Sequence, residues 1–301
     1  MPAGRVLANL GLPNRHCSLY AGRHDQLGVI IMTSHRTTIG LPGGGGRMGG
    51  MLIREIARAD DLHLVAATDR ADSPHIGQDA GEMAGVGSNG VVLGVDPAQL
   101  FTGADVVIDF TAPEASLQHA ALAAETGTVM VIGTTGLTSD QEELLRQAAK
   151  KTAIVYCANT SVGVTLLTQL VEQVAAKLTN GWDIEILETH HHHKVDAPSG
   201  TALALGKAAA RGRQVDLDSV ADMVRKGQTG ARTAGDIGFA VLRGGDVAGE
   251  HSVIFYGESE RVEITHRAND RVIFARGALR AARFAATAAP GFYDMHDVLQ
   301  G

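Results

Sequence analysis

The chain has 301 residues, 45% of them apolar and 20% charged, with a formal charge of −7 at pH 7. That composition excludes a disordered chain, supplies one large core or two ordinary ones, and argues against a basic nucleic-acid surface. Every apolar run falls short of the ~18 residues of a membrane helix, and two lone cysteines, Cys17 and Cys157, make no disulfide scaffold, so a reducing cytoplasm is the expected setting.

The first 37 residues stand apart. Arg5, Arg15, Arg23 and Arg36 face a single acid, Asp25, and the apolar stretch Leu27 to Met32 is shorter than the roughly 7–15 residues of a secretory core. The segment reads as a disordered extension, or as a start assigned too early, with Met32 as a candidate start.

From Thr38 the pattern changes. A short apolar strand, TIGLP, runs into GGGGRMGG, and Met51, Leu52, Ile56 and Ala59 then recur at helical spacing. Buried strands follow in LHLVAAT (Leu62 to Thr68), VVLGV, ADVVIDF (Ala104 to Phe110), VMVIGTT (Val129 to Thr135) and TAIVYCA (Thr152 to Ala158). Helices are expected between them over Pro113 to Thr126 and Ser139 to Lys151, the second opened by a capping box from Ser139 to Glu142. Continuous apolar strands alternating with helices predict a doubly wound, parallel, Rossmann-type α/β sheet covered on both faces.

After a helix over Val162 to Leu178 the strands alternate instead: WDIEILE, then Ile237 to Arg243, Glu250 to Gly257 and Arg261 to Ala268. Little helix separates the last three, which predicts a largely antiparallel open sheet with one face exposed or shared. A helix over Val272 to Ala289 closes the pattern.

The glycine cluster sits between a strand and a helix, where bare backbone N–H groups and a helix N-terminus accept a pyrophosphate. Gly44-x-Gly46-x-x-Gly49 and Gly43-x-x-Gly46-x-x-Gly49 both fit, and Asp69 follows the second strand where an acid can hold ribose hydroxyls, with Arg70 beside it for a 2′-phosphate. Gly133-Thr134-Thr135-Gly136 and Asn159-Thr160-Ser161 end two further strands, where ligands gather in open α/β sheets; ordinary turn chemistry is the bland alternative.

The densest chemistry lies in ETHHHHKVDAPSGTA, Glu188 to Ala202. Internal histidines are not a tag, and neighbours on an extended chain point to opposite sides, so only His190 with His192, or His191 with His193, could converge on a metal; no HExxH or CxxC spacing supplies a third ligand. No metal is expected. The stretch suits acid–base work: imidazoles that titrate near neutrality, the Lys194 cation, and a helix over Ala202 to Arg211 whose entrance, capped by Ser199 or Thr201, can grip a carboxylate. His192 and His193 read as solvent-facing or supporting.

The ordered set E-x-H-H-x-H-K-V-D-A-P-S-G-T-A, GGRMG, GEMAG, VIDFT, VIGTTG, ANTSVGV, GDIGFAVLRGGDVAGEH, EITH and FYDMHDVL, spread from about Thr38 to Leu299, resembles the dihydrodipicolinate reductase family. The resemblance implies a dinucleotide-binding domain over residues 38–160 with a C-terminal helix from about 271–301. It implies a second α+β domain over 161–270 with an open mixed sheet, which binds substrate and builds a homotetramer. It further implies NADH or NADPH as cofactor and reduction of 4-hydroxy-tetrahydrodipicolinate, a small dicarboxylate heterocycle, to tetrahydrodipicolinate in lysine and diaminopimelate biosynthesis. On that basis His190 would be the acid/base and Lys194 the proton donor; His191, Gly200 and Thr201 would hold the substrate carboxylates, with Ser199 and Thr135 on the substrate side. Gly43, Gly44, Gly45, Gly46, Arg47, Met48, Asp69, Arg70, Gly133, Thr134, Thr135, Cys157, Ala158, Asn159 and Thr160 would bind the cofactor. Thr160 stands where the family often has an aromatic residue, and His192 where it often has an arginine. Neither nucleic acid nor membrane is expected as a partner.

Overall fold

A computed structural model describes residues 36–301; what the sequence suggests for the extension, Met32 and Cys17 included, lies outside the described residues. In chain order the first part holds β1 (Thr37–Pro42), α1 (Arg47–Ala57), β2 (Leu62–Thr68), α2 (Ala80–Ala84), β3 (Leu93–Gly94), α3 (Ala98–Gly103), β4 (Val106–Asp109), α4 (Pro113–Thr126), β5 (Val129–Ile132), α5 (Ser139–Ala148) and β6 (Ala153–Tyr156). The second part holds α6 (Val162–Lys177), β7 (Asp183–His190), α7 (Gly200–Arg213), α8 (Leu217–Val220), β8 (Ala221–Asp222), β9 (Ile237–Arg243), β10 (Gly249–Gly257) and β11 (Glu260–Ala268). The chain ends with α9 (Val272–Ala285), β12 (Gly291–Tyr293) and α10 (Met295–Gln300).

The first sheet has the order β12-β6-β5-β4-β1-β2-β3, and every neighbour pair is parallel. Its strands are apolar on both sides because both sides are covered. Val106, Ile108, Val131 and Val155 join Ile39 and Leu41 under α1, α9 and α10, while Val107, Met130, Ile132 and Ile154 pack under α3, α4 and α5. The winding reverses between β1 and β4, so a crevice opens past their carboxyl ends, beside Gly43 and Thr111. Helix α9 returns to this sheet, stitched to α1 by Arg276 on Glu55 and to the start of β2 by Arg283 on Asp61.

The second sheet has the order β11-β10-β7-β9-β8. It is mixed rather than largely antiparallel: β10 pairs antiparallel with β11 and β7, but β9 pairs parallel with β7 and β8. The physical reason is the long connection after β7. It carries α7 across one face and brings the chain back in the same direction, as a crossover must. That face is buried under α6 and α7, with Leu167, Val171, Leu205 and Ala209 against Ile184, Ile186, Ile237, Val253 and Phe255.

Three local expectations are corrected. The capping box on α5 is set one residue earlier: the Thr138 hydroxyl accepts from the Gln141 N–H and the Gln141 side chain accepts from the Thr138 N–H, whereas Ser139 is already helical. VVLGV contributes only Leu93–Gly94 to the sheet, with Val92 and Val95 exposed on either side. The helix expected to reach Ala289 stops at Ala285, and the tail adds the edge strand β12 beside β6 and the capped helix α10.

Candidate functional site

Strand periodicity builds the site. Along β7 the buried row is Ile184, Ile186, Glu188, His190, so the alternation that feeds the core delivers a carboxylate and an imidazole to the strand's end on the same side. Pairing sets their neighbours: His251 on β10 lies opposite Glu188, and Arg243, last residue of β9, lies in register with His190.

Glu188 is 1% exposed and takes donors from three elements. Arg243 grips it with two parallel bonds of 3.0 and 2.9 Å, the Ser199 backbone N–H donates at 3.0 Å, and His190 Nδ1 bonds its Oε2. Burial pushes the Glu188 carboxyl up, but the bonds from Arg243, Ser199 and His190 outweigh it and hold it below the usual carboxylate range. An ionised carboxylate only accepts, so Nδ1 carries the proton and Nε2 is the imidazole's reactive nitrogen. Burial draws the His190 pKa down, the bond and charge of Glu188 draw it up, and Lys194 and Arg243 oppose them; the net direction is down. A free imidazole at neutral pH is therefore the resting form.

The chain turns beyond β7. His191 donates its N–H to Val247 O, and Lys194 donates its own to His191 O. The Lys194 ammonium is one-fifth exposed and pairs with Asp196 at 2.9 Å. Ser199 caps α7, its hydroxyl accepting from the Ala202 N–H at 3.1 Å and bonding His251 Nε2 at 3.1 Å. The helix opens at Gly200, two residues ahead of expectation, with Thr201 in its first turn and no acid there. Its N-terminal N–H groups and the Lys194 ammonium offer donors at this end of the second sheet, which suits a dianion.

Only His190 lies on the strand; His191 to His193 fall in the turn beyond it, so the expectation that neighbours on an extended chain point apart fails there, and the His192 and His193 rings come within 3.9 Å of each other. His190 faces His251 with ring centroids 5.0 Å apart; His191 is half-buried, its pKa lowered by burial and by Arg271; the exposed His192 bonds Gly245 O and stacks near His193. Glu188, His190 and His251 lie close enough for their ligand atoms to share an ion, but Arg243 and Ser199 already occupy both Glu188 oxygens.

The first sheet supplies the facing half. Gly44 donates to Thr68 O, Gly46 to Gly43 O, and Asp69 folds onto the loop, accepting from the Gly45 N–H at 3.1 Å and from the Ser73 hydroxyl at 3.0 Å. The loop fits a dinucleotide: α1 begins at Arg47 with no side-chain cap and no acid in its first turn, and a Cβ would fill the cradle, 2.3 Å from Asp69 Oδ2 at Gly45 and 2.4 Å from Gly43 O at Gly49. Arg47 and Arg70 are exposed at its rim, and Met48 is half-buried. Past β5, Gly133 and Thr134 are buried while Thr135 is exposed; the Thr134 hydroxyl is anchored among Asp109, Ser116 and Thr111, leaving its backbone to face a ligand. Past β6, Cys157 is buried with its thiol pushed up to about 12 by desolvation, and Ala158 is exposed. The Thr160 hydroxyl donates to Phe274 O on α9, so that side chain braces the returning helix.

Two side-chain bonds join the halves: the Asn159 side chain, from the β6 loop, donates to the Thr201 hydroxyl at 3.0 Å, and Gln169 Nε2 on α6 bonds His296 Nδ1 on α10 at 2.6 Å. The β6 loop of the first sheet and the N-terminus of α7 therefore meet, with His190 and Lys194 nearby. Sequence reasoning missed Arg243, Asp196 and His251. For Glu188 a signal existed, since continuing the period-2 row of β7 two residues further places it with His190; Arg243 and His251 come from strands over 50 residues later.

Comparison with known proteins agrees with this layout. Residues 37–160 match the family model described as dihydrodipicolinate reductase, N-terminus, and residues 163–299 the one described as dihydrodipicolinate reductase, C-terminus. The chain is 53% identical over 266 residues to the 4-hydroxy-tetrahydrodipicolinate reductase of Ruegeria pomeroyi, covering 88% of this chain and 99% of the relative. It is 55% identical over 258 residues to the enzyme of that name from Agrobacterium fabrum, covering 85% and 94%. Among solved structures, dipicolinate-bound dihydrodipicolinate reductase from Paenisporosarcina sp. TG-14 superposes with a TM-score of 0.68 at 22% identity, over 87% of this chain and 98% of that one, a likeness of fold.

Proposed function

The chain belongs to the dihydrodipicolinate reductase family, and from that premise we propose that it reduces 4-hydroxy-tetrahydrodipicolinate to tetrahydrodipicolinate, an oxidoreductase step of lysine and diaminopimelate biosynthesis. The observation that supports the reading is the Asn159–Thr201 bond, which brings the β6 loop of the glycine-loop half against the α7 entrance that would take the carboxylates.

Gly43 to Met48, Asp69, Arg70, Gly133 to Thr135 and Cys157 to Thr160 would hold a reduced nicotinamide dinucleotide, which would supply the hydride. The protein's own groups do the rest. The N-terminus of α7, with Ser199, Gly200, Thr201, His191 and Thr135, fixes the two carboxylates and so orients the ring. Lys194 exchanges Asp196 for a substrate carboxylate and donates the proton that balances hydride addition, while His190 Nε2 manages the proton that accompanies loss of water. The sum is substrate, hydride and proton in, tetrahydrodipicolinate and water out.

The test is oxidation of NADPH, and separately of NADH, with substrate made in situ by the preceding synthase. His190→Ala and Lys194→Ala each lower kcat by on the order of 10²–10⁴ with cofactor binding intact; normal turnover by both would overturn the assignment. Asp69 favours a free ribose hydroxyl and Arg70 a phosphate, so both cofactors are used; a large preference in kcat/KM for either refutes dual use.

The domain limits 38–160 with the C-terminal helix, and 161–270, follow the two sheets. A homotetramer is supported by the uncovered face of the second sheet, where Leu242 and Tyr256 are 52 and 38% exposed; a monomer by light scattering would reject it. A cytoplasmic setting is supported by the unpaired, buried Cys157 and by the absence, among the described residues, of any helix long and apolar enough to cross a membrane.

A further inference from the structure

Glu188 touches both working parts of the cleft at once. We infer that Glu188, held by Arg243, is a positioning residue: it fixes the tautomer and direction of the His190 ring and ties that ring to the carboxylate-binding entrance of α7. The inference deepens the reading above, since it rests on His190 as the acid–base group.

The geometry is that of a clamp. One oxygen of Glu188 bonds His190 Nδ1, and the other accepts the Ser199 N–H, the backbone group at the N-cap of α7. An acid–base nitrogen on a strand and an anion cradle on a helix are thereby held through one side chain. With Nδ1 engaged, Nε2 is left as the working atom, and it faces Gly249: a Cβ there would stand 3.0 Å from it, so the space beside Nε2 exists because β10 begins without a side chain. Arg243 makes the clamp tenable in the interior, because its planar fork neutralises and aims the carboxylate. The same guanidinium donates to the Asp196 carbonyl at 2.7 Å, and Asp196 is the ion-pair partner of Lys194, so the network reaches the second proton-handling group as well.

A buried ion pair of purely structural use would leave different traces. Its loss would lower stability and leave the chemistry of the surviving molecules alone. A positioning pair shows in the tautomer and in the pH profile. The groups facing His190 are Glu188 on its own strand, Lys194 and Asp196 in the turn, Arg243 on β9 and His251 on β10, with His266 of β11 behind His251. Of these Glu188 is the one whose bond and charge raise the His190 pKa, so removing its charge moves the His190 limb of the kcat/KM profile toward acid.

The experiment uses the whole protein labelled with ¹⁵N-histidine. Imidazole ¹H–¹⁵N spectra, assigned with His190→Asn, report the His190 tautomer, and rates are measured with NADPH from pH 5.5 to 9 for wild type, Glu188→Gln and Glu188→Asp. Expected are an Nδ1–H tautomer in wild type, loss of its dominance in E188Q, and a kcat lower by at least about tenfold, part of the 10²–10⁴ that acid–base help provides, with an acidward limb and unchanged NADPH affinity. An Nε2–H tautomer in the wild type overturns the inference whether or not any variant folds. A fully active E188Q or E188D with an unmoved limb overturns it too. If H190N is inactive in that case, the acid–base reading survives; if H190N is fully active, that reading falls as well.

Discussion

His251 carries a consequence for stability that its neighbours do not share in the same degree. It is 4% exposed, and burial, with the nearby His190, pushes its pKa down from 6.5 to about 4. An unfolded chain takes up this proton as pH drops through about 6.5, while the folded one refuses it until about 4. Stability from this group is therefore complete above pH 6.5 and is lost as pH falls toward 4, by up to ~3 kcal/mol. Tm measured from pH 7.5 to 4.5 falls less steeply in His251→Gln than in wild type; equal slopes would refute the account. At the nucleotide cradle, Gly49→Ala places a methyl against the Gly43 carbonyl, and NADPH affinity falls without loss of fold, read by titration beside a thermal melt. His190, Lys194 and Ser199 were legible from sequence because they are near neighbours whose chemistry is local. Arg243 and His251 were not, because strand pairing alone brings them to Glu188.

The elements divide along the same line between local and distant information. Strands β1, β2, β4, β5 and β6 were visible as apolar runs because both faces of their sheet are covered, and β7, β10 and β11 as alternating runs because one face is not. The direction of β9 was invisible, since period-2 patterning is the same for parallel and antiparallel partners. So were β8 and β12, whose two and three residues are too few to show a period. Helix α5 shows how small the margin at an end can be: Thr138 with Gln141 and Ser139 with Glu142 both satisfy a capping box, and local sequence does not separate them. Thr138→Ala lowers stability by ~1 kcal/mol while Ser139→Ala stays near neutral, in denaturant titration. In the second core Phe255, fully buried opposite Ile184, is the largest side chain, and Phe255→Ala costs about 3–5 kcal/mol.

At the scale of the whole molecule, both sheets depend on segments that arrive late or from afar. The cleft is made where loops of the first sheet meet α7, and it is held by Asn159 on Thr201 and by Thr160 on α9. The sequence marks those positions as places where ligands gather, but nothing in it shows that they join the two parts of the chain. The first sheet takes its face cover from Ala275, Ala278, Ala282 and Met295, and its edge strand from Gly291–Tyr293. A ribosome that has delivered residues through 160 has therefore made six of the seven strands of that sheet and only the α1 and α2 part of the roof over one side of it. The nascent front half must wait, with its apolar floor exposed, until the back half has been threaded and the final thirty or so residues emerge. Deleting the last thirty or so residues is therefore expected to leave the front half aggregation-prone, as sedimentation of a 1–271 truncation would show.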